Sequence, residues 1–218
     1  MKTEYKLYSK EDGLYFGDEN TQIHGDFNKL LRRAKSLQTE MIVKAVKIKS
    51  IKRPLKILDA TAGLGEDSFL LASAGHFVTL CEYDKIVFEL LKDTVNRALN
   101  TEELKTAAEK MTLIFGSSID FMKNCPGDFD VIYLDPMFPE RQKTALVKKK
   151  FQVIHSIEKP CDNEEELLNA AINARPAKIV IKRPLKGPFL NNIKPGYSLF
   201  GKAIRYDCIT PVSKDNGT

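Results

Sequence analysis

The chain has 218 residues, a net charge of +5, and 43% hydrophobic against 29% charged residues. That length suits one α/β domain with room for a small appendage, and the composition excludes a disordered chain or a disulfide-stapled miniature. No apolar run approaches the ~18–20 residues of a membrane-crossing helix, and Met1–Lys6 carries no apolar signal core, so a cytoplasmic protein is expected.

Residues 4–16 read as a hairpin, because Tyr5-Lys6-Leu7-Tyr8 and Leu14-Tyr15-Phe16 flank a turn ending in Asp12-Gly13. From Asp26 to about Ile48, Phe27, Leu30, Leu31 and Ala34, then Met41, Ile42, Ala45 and Val46, recur at helical spacing. A break is expected near Ser36–Thr39, with Thr39 as a candidate N-cap. Residues 1–53 therefore read as an N-terminal hairpin and helical extension docked on a main domain over 54–218.

From Pro54 onward short apolar runs alternate with amphipathic ones. Strands are predicted at Leu55–Ala60, Phe77–Glu82, Thr112–Phe115, Val131–Asp135 and Lys178–Lys182. Helices are predicted near Asp67–Ala74, Lys85–Leu99, Ser118–Lys123 and Asn163–Ala174. This alternation points to a Rossmann-like α/β fold with a mostly parallel sheet covered on both faces. A proline- and glycine-rich stretch then leads to Tyr197–Phe200 and Ala203–Ile209, expected as an antiparallel terminal hairpin at the sheet edge. The last residues, from Thr210, read as a frayed tail.

In such a sheet, ligands bind beyond the carboxyl ends of the strands. Asp59, Glu82, Ser117 and Asp135 each fall at or just past such an end. Between Asp59 and the next helix lie Gly63 and Gly65, which let backbone amides approach a ligand closely. A dinucleotide fingerprint would place a third glycine where Ser68 stands, and Asp59 would aim a carboxylate at a pyrophosphate. S-adenosylmethionine (SAM) has no phosphate and carries an amino group and a sulfonium, so acids suit it better. Glu82 can accept both ribose hydroxyls. The competing readings are a nicotinamide cofactor and a tight turn without a ligand.

Asp135-Pro136-Met137-Phe138 follows the fourth strand of this series and resembles the (Asn/Asp)-Pro-Pro-(Tyr/Phe) motif of methyltransferases acting on exocyclic or amide nitrogens. Acceptors from Asp135 and the Pro136 carbonyl could orient an NH₂ group, and Phe138 offers a face for a base to stack on. Pro136 fixes the loop and adds no donor. The plain alternative is a proline turn after a buried strand.

Cys81, Cys125, Cys161 and Cys208 stand far apart, as do His24, His76 and His155, so neither a metal site nor a redox pair is expected.

Four segments together resemble the RsmJ-type methyltransferases: Asp59–Gly65, Tyr133–Pro139, Gln142–Lys149 and Val180–Pro184. The resemblance covers about residues 30–210. It implies SAM-dependent methylation of N2 of a guanine in bacterial small-subunit (16S) ribosomal RNA, on naked RNA or the 30S particle. By motif it implies cofactor contacts at Glu66, Asp67, Glu82, Tyr83, Ser117, Ser118 and Asp135. Glu66 and Tyr83 stand where that family usually has basic residues. Lys143, Lys148, Lys149, Lys182 and Arg183 would flank the substrate mouth and meet RNA phosphates. Other outcomes to separate are methylation of another RNA or DNA amine or of a protein amide, and a non-catalytic RNA-binding module.

Overall fold

The computed structural model of the chain describes residues 5–18, 20–136 and 164–211. Among these residues the main sheet has seven strands: β4 (Lys56–Asp59), β5 (Phe77–Glu82), β6 (Met111–Phe115), β7 (Val131–Leu134), β8 (Lys178–Pro184), β9 (Tyr197–Phe200) and β10 (Ile204–Ile209). They lie in the order β6-β5-β4-β7-β8-β10-β9. Strands β4 to β8 pair in parallel, β10 pairs antiparallel with β8, and β9 pairs antiparallel with β10. The expected terminal hairpin forms with its second strand innermost. Tyr206 and Cys208 on β10 are buried, whereas both ends of β9 are exposed.

Residue type explains why these segments pair. Val131-Ile132-Tyr133-Leu134 is buried throughout, as a parallel strand covered on both faces must be. Side-chain alternation then sorts the core into two layers. Ile57, Val131, Tyr133 and Val180 face one layer with helix α3 (Glu66–Ser73) and helix α5 (Glu102–Ala108). Leu58, Ile132, Leu134, Ile179 and Ile181 face the other, with α6 (Ser118–Lys123) and α7 (Glu164–Asn173). Helix α4 (Lys85–Leu99) begins where the Asp84 carboxylate accepts from the amides of Ile86 and Val87.

Phe27, Leu30, Ile42, Ala45 and Val46 share the first of these layers, whereas Phe16 and Ile23 pack separately with Leu90 of α4. Strands β1 (Lys6–Lys10), β2 (Gly13–Gly17) and β3 (Gln22–Ile23) form a separate small sheet. A 3₁₀ turn (Phe27–Leu30) follows, then α1 (Leu31–Ala34) and α2 (Met41–Val46). Phe27 stacks on Phe69 of α3 at 4.5 Å between ring centroids. Lys178 of β8 donates from Nζ to the carbonyls of Ala45 (3.0 Å) and Lys47 (2.6 Å) at the end of α2. The helical break falls where expected, but the cap does not. Glu40 is the N-cap of α2, while the Thr39 hydroxyl donates back to the Ser36 carbonyl and closes the turn.

Candidate active site

The strand order reverses between β4 and β7, where open α/β sheets form their ligand crevice. β4 ends at Asp59, and the chain turns through Gly63 (φ +53°) and Gly65 (φ +76°) into α3. Both need the left-handed region, but for different surroundings. A Cβ at Gly65 would stand 2.7 Å from Leu91 Cδ1, whereas one at Gly63 would meet nothing within 4 Å. The inner glycine is packed and the outer one faces open space.

Hydrogen bonds lock this turn to its neighbours. Asp59 is 1% exposed and lies beneath the turn, accepting from the Thr61 amide (3.1 Å) and the Ser68 hydroxyl (2.6 Å). Burial pushes its carboxyl up to about 7 against those two bonds. It therefore shapes the cradle from below instead of lining it, which corrects its expected place as a direct ligand contact. Glu82 at the end of β5 accepts from the Gly63 amide (2.9 Å) and the Asp84 amide (2.8 Å). Burial also raises its carboxyl. The Tyr83 amide also acts on this carboxylate, which with about four acceptor sites still keeps capacity for a ribose hydroxyl.

Glu66 and Tyr83 are exposed at the rim. Ser117, also exposed, caps α6 by accepting from the Asp120 amide (3.2 Å), with Ser118 beginning that helix. The preceding Gly116 (φ +139°) again has open space at its Cβ position. Gly63, Glu82, Gly116 and Ser117 thus stand at the ends of three adjacent strands.

On the other side of the switch point, the Asp135 amide donates to the Thr61 hydroxyl (2.7 Å), tying the two loops together. Lys182 of β8 bridges Asp67 Oδ2 (2.7 Å) and Asp135 Oδ2 (2.9 Å), and the Tyr133 hydroxyl donates to Asp67 Oδ2 (2.6 Å). Burial disfavours the Lys182 ammonium, but Asp135 and Asp67 outweigh it and raise its pKa. Burial raises the Asp135 carboxyl, opposed by Lys182.

Two expected phosphate contacts take other places. Arg183 has a fully buried side chain bonded to Glu164 (3.2 Å) and the Pro188 carbonyl (3.0 Å), so its guanidinium is enclosed and cannot meet a phosphate. Lys182 faces the two carboxylates. Pro136 is buried beside Asp135. Phe138, Lys143, Lys148 and Lys149 lie outside the described residues. Sequence reasoning passed over Thr61, Ser68 and Tyr133. The signal for Tyr133 was a phenol inside an aliphatic buried strand, where a hydroxyl needs a partner.

Acceptors dominate this crevice, next to open backbone cradles at Gly63 and Gly116. Such a set of acceptors fits SAM, with its ribose hydroxyls, amino group and sulfonium, and repels a pyrophosphate. Sheet order and crevice together define a SAM-dependent methyltransferase class of Rossmann-like fold. Residues 6–211 match the family described as "Putative SAM-dependent methyltransferase", and the chain belongs to that family. Among its relatives, ribosomal RNA small subunit methyltransferase J of Ectopseudomonas mendocina is 45% identical over 179 residues, covering 82% of this chain and 68% of that protein. The enzyme of the same name from Marinobacter nauticus is 42% identical over 169 residues, covering 77% of this chain. The chain spans only 61% of the length of that relative. A SAM-dependent methyltransferase from Neisseria gonorrhoeae, known from its crystal structure, superposes with a TM-score of 0.78 at 30% identity. That match covers 99% of this chain and 86% of the other.

Proposed function

We propose that this chain transfers the methyl group of SAM to the exocyclic N2 amine of a guanine in small-subunit (16S) ribosomal RNA. The observation carrying this reading is the juxtaposition, at one switch point, of the Gly63 cradle held by Glu82 and the Asp135-Pro136 turn held by Thr61. The relatives named above carry small-subunit ribosomal RNA in their names, and the guanine N2 amine is this reading's own step beyond them. Ribosome assembly would place the enzyme in the cytoplasm, and no helix among the described residues is long and apolar enough to cross a membrane.

SAM supplies a methyl group made electrophilic by its sulfonium. Glu82 holds the cofactor's hydroxyls, and Asp67, Ser117 and Ser118 line its remaining polar edge, with Glu66 and Tyr83 at the rim. Asp59 keeps the turn in shape for Gly63 to approach the cofactor, with Gly65 packed behind it. An aryl amine is a weak nucleophile because its lone pair is delocalised into the ring. Asp135 and the Pro136 carbonyl accept its two N–H groups and turn the lone pair toward the methyl. Phe138 stacks on the base, worth about 1–3 kcal/mol. No strong base is needed, since the positive charge would pass from sulfur to the amine nitrogen as the C–N bond forms and the C–S bond breaks, leaving an acidic N–H that loses its proton to water afterwards. Alignment and desolvation carry the rate.

A guanine in structured RNA must be splayed from its stack to enter such a site. Lys143, Lys148 and Lys149 would hold the flanking phosphates, making affinity fall with salt while reading no sequence. The test pairs calorimetry, using SAM and S-adenosylhomocysteine, with methyl incorporation into 30S particles, naked rRNA, DNA and protein. Mass mapping of the labelled RNA then locates the base. Methyl transfer to adenine or a protein amide, or RNA binding without cofactor binding, would overturn the assignment.

A further inference from the structure

Lys182 occupies a position that its sequence neighbourhood does not suggest. Its ammonium lies 2.7 Å from Asp67 Oδ2 and 2.9 Å from Asp135 Oδ2, with its side chain only 25% exposed. Behind it, the Tyr133 hydroxyl donates 2.6 Å to the same Asp67 oxygen, so Asp67 is fixed from two directions. In front, the Asp135 main chain is pinned by its amide bond to Thr61. Asp135 is thus held at both backbone and side chain, with Lys182 on one of its two carboxylate oxygens.

We propose that Lys182 is a positioning residue for methyl transfer, clamping Asp135 through Oδ2 so that Oδ1 and the Pro136 carbonyl receive the two N–H groups of the substrate amine. This rests on the amine-methylation reading above. An ammonium gripping two carboxylates in a partly desolvated crevice makes short, charge-assisted bonds and fixes their planes. A carboxylate left to rotate would present its lone pairs at random, and near-attack geometry is sensitive to such misplacement.

The second part of the role is charge. Asp135 lies within the electrostatic reach of Lys182 and, from its enclosed site, Arg183 of β8, of Asp67 of α3, Tyr133, Asp59 below the turn and Tyr206 of β10, while Arg33 of α1 acts on Asp67 and Tyr206. Burial and Asp67 both favour a protonated Asp135, and Lys182 is the nearest group opposing them. A protonated carboxyl presents a donor where the amine needs an acceptor. Without Lys182, burial and Asp67 act on Asp135 with their main opposing cation gone, so Asp135 takes up its proton at a higher pH than in the unaltered chain.

The experiment compares the full chain with Lys182→Met and Lys182→Arg. It uses methyl transfer to small-subunit RNA from about pH 5.5 to 9 and carbon-13 NMR titration of the aspartate carboxyls, with Asp135 assigned through Asp135→Asn. For Lys182→Met, kcat should fall about 10²-fold while KM for RNA changes less than about threefold. Its acid limb should move up by about one pH unit or more, with Asp135 titrating correspondingly higher. Lys182→Arg should recover at least about tenfold of the lost kcat, since it restores the charge. A rise in KM with kcat kept would make Lys182 a phosphate contact and overturn the proposal. So would an Asp135 titration indifferent to Lys182, whatever RNA the enzyme accepts. If the unaltered chain methylates no RNA, the substrate reading falls, and the NMR titration still decides the clamp. Should Lys182→Met fail to fold, Lys182→Arg and Lys182→Gln carry the same two readouts.

Discussion

Alanine at Gly65 and alanine at Gly63 should do different damage, although both sit in the same turn with positive φ. Placing a Cβ in the left-handed region costs about 1–2 kcal/mol at either site. At Gly65 the new methyl would also stand 2.7 Å from Leu91 Cδ1, 3.3 Å from Leu80 Cδ2 and 3.4 Å from Phe27 Cζ. Those three side chains are at most 1% exposed, so none can swing into solvent, and overpacking adds about 1–3 kcal/mol. Gly65→Ala should therefore lose roughly 2–5 kcal/mol, which for a chain of this size lowers Tm by roughly 4–20 °C. Gly63→Ala meets no neighbour and should lose only the backbone cost of about 1–2 kcal/mol, or roughly 2–8 °C. Its methyl instead enters the open space in which SAM is proposed to lie, so the affinity for S-adenosylhomocysteine should drop at least about tenfold. Calorimetry reads both quantities: thermal scans for stability, titration for binding. Equal Tm losses in the two variants, or a Gly63→Ala protein that binds as tightly as the unaltered chain, would refute this account of the turn.

Three further outcomes follow from buried polar groups. Asp59 has a folded pKa of about 7, above the unfolded value, so its ionisation favours the unfolded state and its contribution falls as pH rises from about 4 through 7. The stability difference between the unaltered chain and Asp59→Asn should shrink across that window by up to roughly 4 kcal/mol, measured by urea unfolding at both ends; a constant difference would contradict it. Lys178→Met removes the donor to the Ala45 and Lys47 carbonyls, which should cost about 2–3 kcal/mol. Hydrogen exchange over residues 41–48 should quicken, and unchanged protection there would count against the tether. Arg205 pairs with Asp207 and donates to the carbonyls of Pro184, Leu185 and Gly187, all from a site 4% exposed. Arg205→Met should lose about 3–5 kcal/mol by stranding Asp207, and a loss under about 1 kcal/mol in denaturant titration would sink that reading.

Most strands were legible because their chemistry is local. Phe77–Glu82 and Tyr197–Phe200 are found with the bounds expected, as are the helices Lys85–Leu99 and Ser118–Lys123. Helix α5 escaped because its buried side is only Leu104, Ala107 and Ala108, too small for a clear apolar stripe. β3 escaped because two residues carry no period. The site was legible to the extent that it follows strand ends, as Glu82 and Asp135 do. Charges were misjudged where the partner is distant in the chain: Lys182 pairs across 115 residues with Asp67, and its neighbour Arg183 turns inward to Glu164. Sequence displays a cation and conceals which surface it faces.

The bond from Lys178 to the carbonyl of Ala45 also bears on how the molecule comes to be made. It spans 133 residues, so α2 emerges from the ribosome long before the strand that secures it. Phe27 likewise waits some forty residues for Phe69. Contacts of such separation slow folding, because a large loop must close before any of them forms. The opening quarter of the polypeptide should therefore remain unsettled during synthesis and dock late, after the last strands have joined the sheet. A chain stalled before Lys178 would expose Ile42 and Val46, which makes that interval the one in which aggregation or chaperone capture is most to be expected.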